Sequence, residues 1–296
     1  MDDIAVDYAS TGYLDNHFGI LSKGHDTTIV RAIVTRRLAI AFPDTPLLAL
    51  YSTALFRQLR HLELICKSNH EIIILPYLEQ IESLEIWRGS TPKHSLNLDL
   101  PLTHTLQWLE LRLSAPLWML GRTFESLREF RIIHPPLDKP ENHSRFEGLQ
   151  VDLPVCTTLG LFQCSIDYLR ILSCSNLQIL RWSLSQRPFQ TTFDLAAFNS
   201  FHDFLSNLSY LQNLDISVPH GLGIDSLIDF VFCGAPEHGV WRDIKRVEVE
   251  VGCDTISEAC HLFDQTVGHQ PRFEKWWKSF TVTRKYARTV IITASM

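Results

Sequence analysis

Catalysis needs a few side chains of the right kind at the right spacing, and three stretches of this chain come near that requirement. His70 and Glu71 begin a zinc-protease motif, but Ile72, Ile73 and Ile74 follow, so the second histidine one helical turn on is missing. Cys253, Cys260 and His261 are soft and borderline metal donors, but Cys253 precedes the segment with helical spacing that carries the other two, so no metal site is expected. Gly221, Leu222 and Gly223 lack the third glycine of a dinucleotide loop. No GxSxG nucleophile turn and no phosphate-binding P-loop occurs, and the 13 histidines are scattered. The sequence therefore reads as that of a non-enzyme with no cofactor and no metal.

A fourth group suits recognition rather than bond making. Glu63, Glu85 and Glu110 recur at one position of a repeated pattern, and Trp87, Arg88, Trp108 and Arg112 stand beside them. Arg131, Phe162 and Arg181 occupy related positions farther along. Outward tryptophans among charges have the composition of an interface centre, since desolvated aromatic and arginine anchors commonly carry binding energy. A carboxylate column would also repel itself, with about 0.8 kcal/mol per adjacent pair at 5 Å even in water. Arg88 and Arg112 are the expected neutralisers. The sharper expectation is that a basic segment of a partner lies along the acids.

The element that must position these residues is a short phrase with apolar residues at its first, fourth and sixth places. It reads Leu59, Leu62, Leu64; Ile81, Leu84, Ile86; Leu106, Leu109, Leu111; Leu127, Phe130, Ile132; Cys156, Leu159, Leu161; Leu177, Leu180, Trp182; Leu211, Leu214, Ile216; and Ile244, Val247, Val249. Its fourth places recur at intervals from 21 residues (Leu109 to Phe130) to 34 (Leu180 to Leu214). This is the phrase of a leucine-rich repeat. Strand side chains alternate, so places four and six point inward, while places three, five and seven point out together from a sheet of parallel strands. The expected fold is α/β, an irregular leucine-rich-repeat solenoid forming an arc with a parallel sheet on its concave face. The expected partner is a protein held on that face.

Residues 1–55 read as a lead-in without period followed by a capping helix from Thr27 to Pro43, on which Val30, Val34 and Leu38 are spaced by four. Residues 56–252 carry the repeats, and residues 253–296 read as a C-terminal capping segment. Phe193 to Leu208 and Asp225 to Phe232 have helical apolar spacing, and Thr255 with Glu258 makes a capping box. After Gly268 come Arg272, Lys275, Trp276, Trp277, Lys278, Arg284, Lys285, Tyr286 and Arg288. Cations interleaved with aromatics could pair phosphates and stack bases, which makes a nucleic-acid or phosphate binder the alternative reading. The preferred one is a cap over an apolar end, closed by strands around Phe280, Val282 and Val290 to Ile292.

Composition supports these expectations without adding to them. A net charge of -6 disfavours nucleic acid and anionic membranes as partners. Seven cysteines with no CxxC pair read as reduced, mostly buried thiols, and no apolar run is long enough to span a bilayer. With no secretory signal in the sequence, a cytoplasmic or nuclear location is expected.

The stretches Leu59 to Leu64 and Ala115 to Ile132 resemble the leucine-rich-repeat region of fungal F-box-like proteins, over about residues 55 to 252. That resemblance implies recognition of proteins for ubiquitin ligase assemblies. The chain departs from it in two ways. The ninth-place asparagine or cysteine is found only as Cys164, and residues 1 to 55 show no F-box to grip the ligase adaptor.

Overall fold

The computed structural model describes residues 3–7, 37–42, 60–66, 72–74, 80–88, 97–99, 104–112, 119–133, 150–164, 167–184, 195–218, 228–229, 231–232, 243–252, 256–265, 277–286 and 289–295. The fold is α/β, with mostly parallel sheet and few helices among these residues. The chain divides into two compact units, Met1–Leu153 and Pro154–Met296.

The first unit contains β1 (Asp3–Asp7), β2 (Arg37–Phe42), β3 (His61–Cys66), β4 (Ile72–Ile74), β5 (Ser83–Arg88), β6 (Asn97–Asp99), β7 (Trp108–Arg112), β8 (Glu129–Ile133) and β9 (Val151–Asp152). Strands β1, β2, β3, β5, β7 and β8 lie side by side in that order, every pair parallel. Strands β4 and β6 form a small parallel pair of their own. Parallel neighbours require the chain to cross back between them, which is why the phrases are separated by long connections.

Register follows the phrase. Leu62 pairs with Leu84, Leu84 with Leu109 and Leu109 with Phe130, so fourth place faces fourth place across β3, β5, β7 and β8. The inward places are buried throughout: Ile81, Leu84 and Ile86; Leu106, Leu109 and Leu111; Leu127, Phe130 and Ile132. Each such side chain withdrawn from water contributes roughly 1.5–3 kcal/mol, and a slip of one residue would turn the whole set outward.

The N-terminal expectation needs correcting. Leu38 does not sit on a helix, because residues 37–42 form β2, in register with β3 through Leu38 opposite Leu62 and Ile40 opposite Leu64. Residues 3–7 are likewise a strand and not irregular. Ile4 pairs with Leu38 and Val6 with Ile40, so both strands extend the same ladder. The rest of the stretch read as a helix lies outside the described residues.

The second unit contains β10 (Thr158–Cys164), a helical turn at Asp167–Arg170, β11 (Leu172–Ser173), β12 (Ile179–Leu184), a helix at Leu195–Ser206, β13 (Asn213–Val218), β14 (Arg246–Val251), a helix at Ile256–Phe263, β15 (Ser279–Tyr286) and β16 (Thr289–Ser295). Strands β10, β12, β13 and β14 are parallel neighbours, again with fourth places aligned as Leu159, Leu180, Leu214 and Val247. The expected closing strands are present: β16 pairs antiparallel with β14, and β15 antiparallel with β16. The helix at Leu195–Ser206 buries Phe201, Phe204 and Leu205, with Phe201 against Trp182 at 4.8 Å between ring centroids. The last helix begins directly after Thr255, as the capping box requires.

A backbone ladder runs along the entry to the strands. The second-place carbonyl of each repeat accepts two N–H groups from the next: Arg60 O from Glu82 and Ser83 (2.9 and 3.0 Å), Glu82 O from Gln107 and Trp108 (2.8 and 3.0 Å), and Gln107 O from Arg128 and Glu129 (2.8 and 3.1 Å). The second unit repeats this at Thr157, Gln178 and Gln212. Just before the strands, the Ser126 hydroxyl donates to the His104 carbonyl and the Asn176 amide to the Pro154 carbonyl. Both reach from the place before the phrase to the turn of the preceding repeat. Each occupies a backbone acceptor that a turn leaves open.

Candidate functional site

On β5, β7 and β8 the third, fifth and seventh places carry Ser83, Trp108 and Glu129; Glu85, Glu110 and Arg131; and Trp87, Arg112 and Ile133, each trio in register. Alternation sends all nine to the side away from the buried leucines. Strand spacing of about 4.8 Å then sets Glu85 beside Glu110 and Trp87 beside Arg112.

The acids do not form an exposed column. Glu110 is 2% exposed, the one buried polar or charged residue among the described ones, whereas an outward fifth place is expected to be solvated. Two arginines fold over it. Arg112 Nε–H donates to Glu110 and lies 3.2 Å from Glu85 Oε1, and Arg131 Nη1 lies 3.6 Å from Glu110 Oε2. Arg131 also holds Glu129, with Nε donating at 2.7 Å. A carboxylate taken out of water must be paired to be tolerated, and Glu110 is paired from two sides.

Each guanidinium also lies over an indole. Arg112 Cζ is 3.9 Å from the Trp87 ring centroid, and Arg131 Cζ is 5.9 Å from that of Trp108. The Trp87 indole N–H donates to Glu85, which fixes the ring under the arginine. A cation on an aromatic face contributes about 0.5–2 kcal/mol, more as water is excluded. Six expected residues are thus brought together in the first unit: Glu85, Trp87, Trp108, Glu110, Arg112 and Arg131. Both tryptophans are outward and half-buried.

Other expected residues stand elsewhere. Glu63 aligns with Glu85 in the register of β3 and β5, and Arg88 with Cys66, but the side chains of Glu63 and Arg88 lie outside the described residues. Phe162 and Arg181 belong to the second unit. Phe162 is half-buried, followed by a bulge at Gln163, whose φ of 55° lies in the left-handed region. Arg181 is exposed and pairs with Asp215 at 3.4 Å. Glu129 was not among the expected residues. Its signal is the recurrence of Glu-x-Arg on successive strands, Glu110 with Arg112 and Glu129 with Arg131, two residues apart on one face.

The remaining chemistry is modest. His104 Nδ1 lies 3.0 Å from Glu125, but the neighbouring Ser126 hydroxyl donates to the His104 carbonyl, so the three form no nucleophile–base relay. Burial pushes the Cys164 thiol well above its ordinary range, and its S–H donates to the Phe162 carbonyl. Among the described residues no three histidine, cysteine, aspartate or glutamate side chains group as metal ligands would. Cys253 lies outside the described residues.

The C-terminal aromatics are only partly described. Trp277 is buried, its indole N–H donating to the Phe232 carbonyl at 2.6 Å and its ring edge-on to Phe232 at 5.7 Å. Lys285 Nζ lies 2.8 Å from Glu250. Comparisons with protein-family models, with curated proteins and with solved structures find no match to this chain.

Proposed function

We propose that this chain is a leucine-rich-repeat solenoid protein that binds another protein through the outward side of its parallel strands and catalyses no reaction. The observation that supports this most is the lattice of Trp87, Trp108, Arg112 and Arg131 around the buried carboxylate of Glu110. Aromatic rings and arginines held in place before binding lose little entropy when a partner arrives, which is the property of an interface hot spot. The resemblance to F-box-like proteins makes substrate recognition for a ubiquitin ligase the biological setting proposed here. A cytoplasmic or nuclear location belongs to the same proposal. No helix among the described residues is long and apolar enough to cross a membrane.

The arrangement revises which partner chemistry fits. Glu85 and Glu110 are already engaged by Arg112 and Arg131, so a basic segment lying along free acids has little support. The alternative of stacked bases on C-terminal aromatics is weakened by Trp277, whose ring packs on Phe232.

The test is affinity capture from the native cell with wild-type protein and with the Trp108→Ala variant. The expected result is loss of the principal protein partners with the melting temperature held. An unchanged set of partners at unchanged affinity would remove this ribbon as the binding site.

A further inference from the structure

Arg112 differs from its neighbour in what its guanidinium leaves open. The shortest ionic contacts of Arg112, to Glu85 and Glu110, both run through Nε. Arg131 by contrast spends Nε and Nη2 on Glu129 and turns Nη1 toward Glu110. Among the described residues neither terminal nitrogen of Arg112 makes a hydrogen bond. Those two nitrogens form the planar end of the fork that grips a carboxylate through parallel hydrogen bonds. The Trp87 face holds the fork flat, with Cζ 3.9 Å from the ring centroid.

Exposure decides the sign of what approaches. The side chains of Arg112 and Arg131 are 37% and 33% exposed, while those of Glu85, Glu110 and Glu129 are 17%, 2% and 29% exposed. An incoming group therefore meets the head of Arg112 before Glu85 and Glu110, carboxylates that already have arginine partners. We propose that Arg112 receives a carboxylate from an acidic segment of the protein partner, with Trp87 and Trp108 taking the apolar residues beside it. This deepens the scaffold reading of the same ribbon and rests on it.

A phage-displayed library of random 16-residue peptides, selected on the full-length protein, tests the proposal. The expected outcome is enrichment of peptides that carry aspartate or glutamate next to an apolar residue. Their affinity should fall about tenfold or more in Arg112→Gln, since a hydrogen bond to a charged group is worth roughly 1.5–3 kcal/mol. Arg112→Lys, which keeps the charge and loses the planar fork, should also weaken them severalfold, and serves as the readout if the glutamine variant unfolds. Enrichment of basic or uncharged peptides that lose affinity in Trp108→Ala would overturn the acidic partner and leave the scaffold reading standing. Failure to enrich any peptide, or peptides indifferent to both positions, would overturn the proposal. The capture experiment then decides independently whether the scaffold reading falls with it.

Discussion

The two units use one interior and two exteriors. Across β5, β7 and β8, and again across β10, β12, β13 and β14, the fourth and sixth places are apolar, buried and in register. The outward places diverge. In the first unit a fifth-place acid, Glu110, is buried beneath arginines that lie on tryptophans. In the second the fifth-place acids are Asp215, 38% exposed on its side chain and paired with Arg181, and Glu248, paired with Arg246. No tryptophan stands on the outward places of β10, β12, β13 or β14. Packing therefore constrains half of each strand alike in both units and leaves the other half free to differ.

The largest test of this comparison is of the shared interior. Leu109 and Leu159 hold the same place in the two units, both fully buried. Leu109→Ala and Leu159→Ala should each lower stability by about 2–5 kcal/mol, through lost transfer energy and the cavity left behind. Urea denaturation of the two variants checks it, and a midpoint unmoved in either would separate the two interiors.

That interior is the part of the structure most legible in the sequence. Eight phrases were readable because three apolar residues in fixed places rarely recur by chance. Strands β1 and β2 were not. Leu38 and Ile40 fill the fourth and sixth places, but the first is Thr35, and Val30, Val34 and Leu38 offered a competing helical period. Met1, Ile4 and Val6 do fit the phrase but open the chain without a turn signal before them. The apolar pattern also extends backward, to the buried Phe124, Leu153, Cys174 and Leu208, each three residues before a first place. At the candidate site, residue types were legible and their arrangement was not. Alternation states that Glu110 points outward, but whether it is solvated depends on the arms of Arg112 and Arg131, whose rotamers no spacing rule fixes.

A smaller effect sharpens the exterior comparison. Glu110→Gln leaves two arginines around a group that has lost its charge, and should cost about 1–3 kcal/mol. That is below the loss expected for a fully buried pair, because the guanidiniums are about a third exposed. Asp215→Asn at the same place of the second unit should cost no more than about 1 kcal/mol. Thermal melts of the pair at one salt concentration give the difference directly, and equal losses would show that burial of the acid is not what distinguishes the two ribbons.

A lesser effect still is expected before the strands. Ser126→Ala in the first unit and Asn176→Ala in the second each remove one side-chain donor from a backbone carbonyl, of His104 and of Pro154. Each should cost about 0.5–1.5 kcal/mol, the net value of an ordinary hydrogen bond. Similar losses by chemical denaturation would mark this contact as a device common to both units.

The smallest expected effect concerns the charge pairs of the second ribbon. Arg181 and Asp215 meet at 3.4 Å, but their side chains are 45% and 38% exposed, so water competes for both ions. Exposed pairs of this kind contribute about 0.2–1 kcal/mol and fade as salt shortens the reach of each charge to about 3 Å at 1 M. Among the described residues no indole lies beneath this pair, unlike Trp87 beneath Arg112. A double-mutant cycle of Arg181→Ala and Asp215→Ala should therefore yield a coupling below about 1 kcal/mol at low salt that vanishes at 1 M. The matching cycle of Arg112→Ala and Glu110→Ala should keep most of its larger coupling at 1 M, since Glu110 is shielded from the ions that do the screening. If both cycles lose their coupling alike, the first ribbon is no more preorganised than the second, and the reason for placing recognition on Arg112 and its tryptophans is gone.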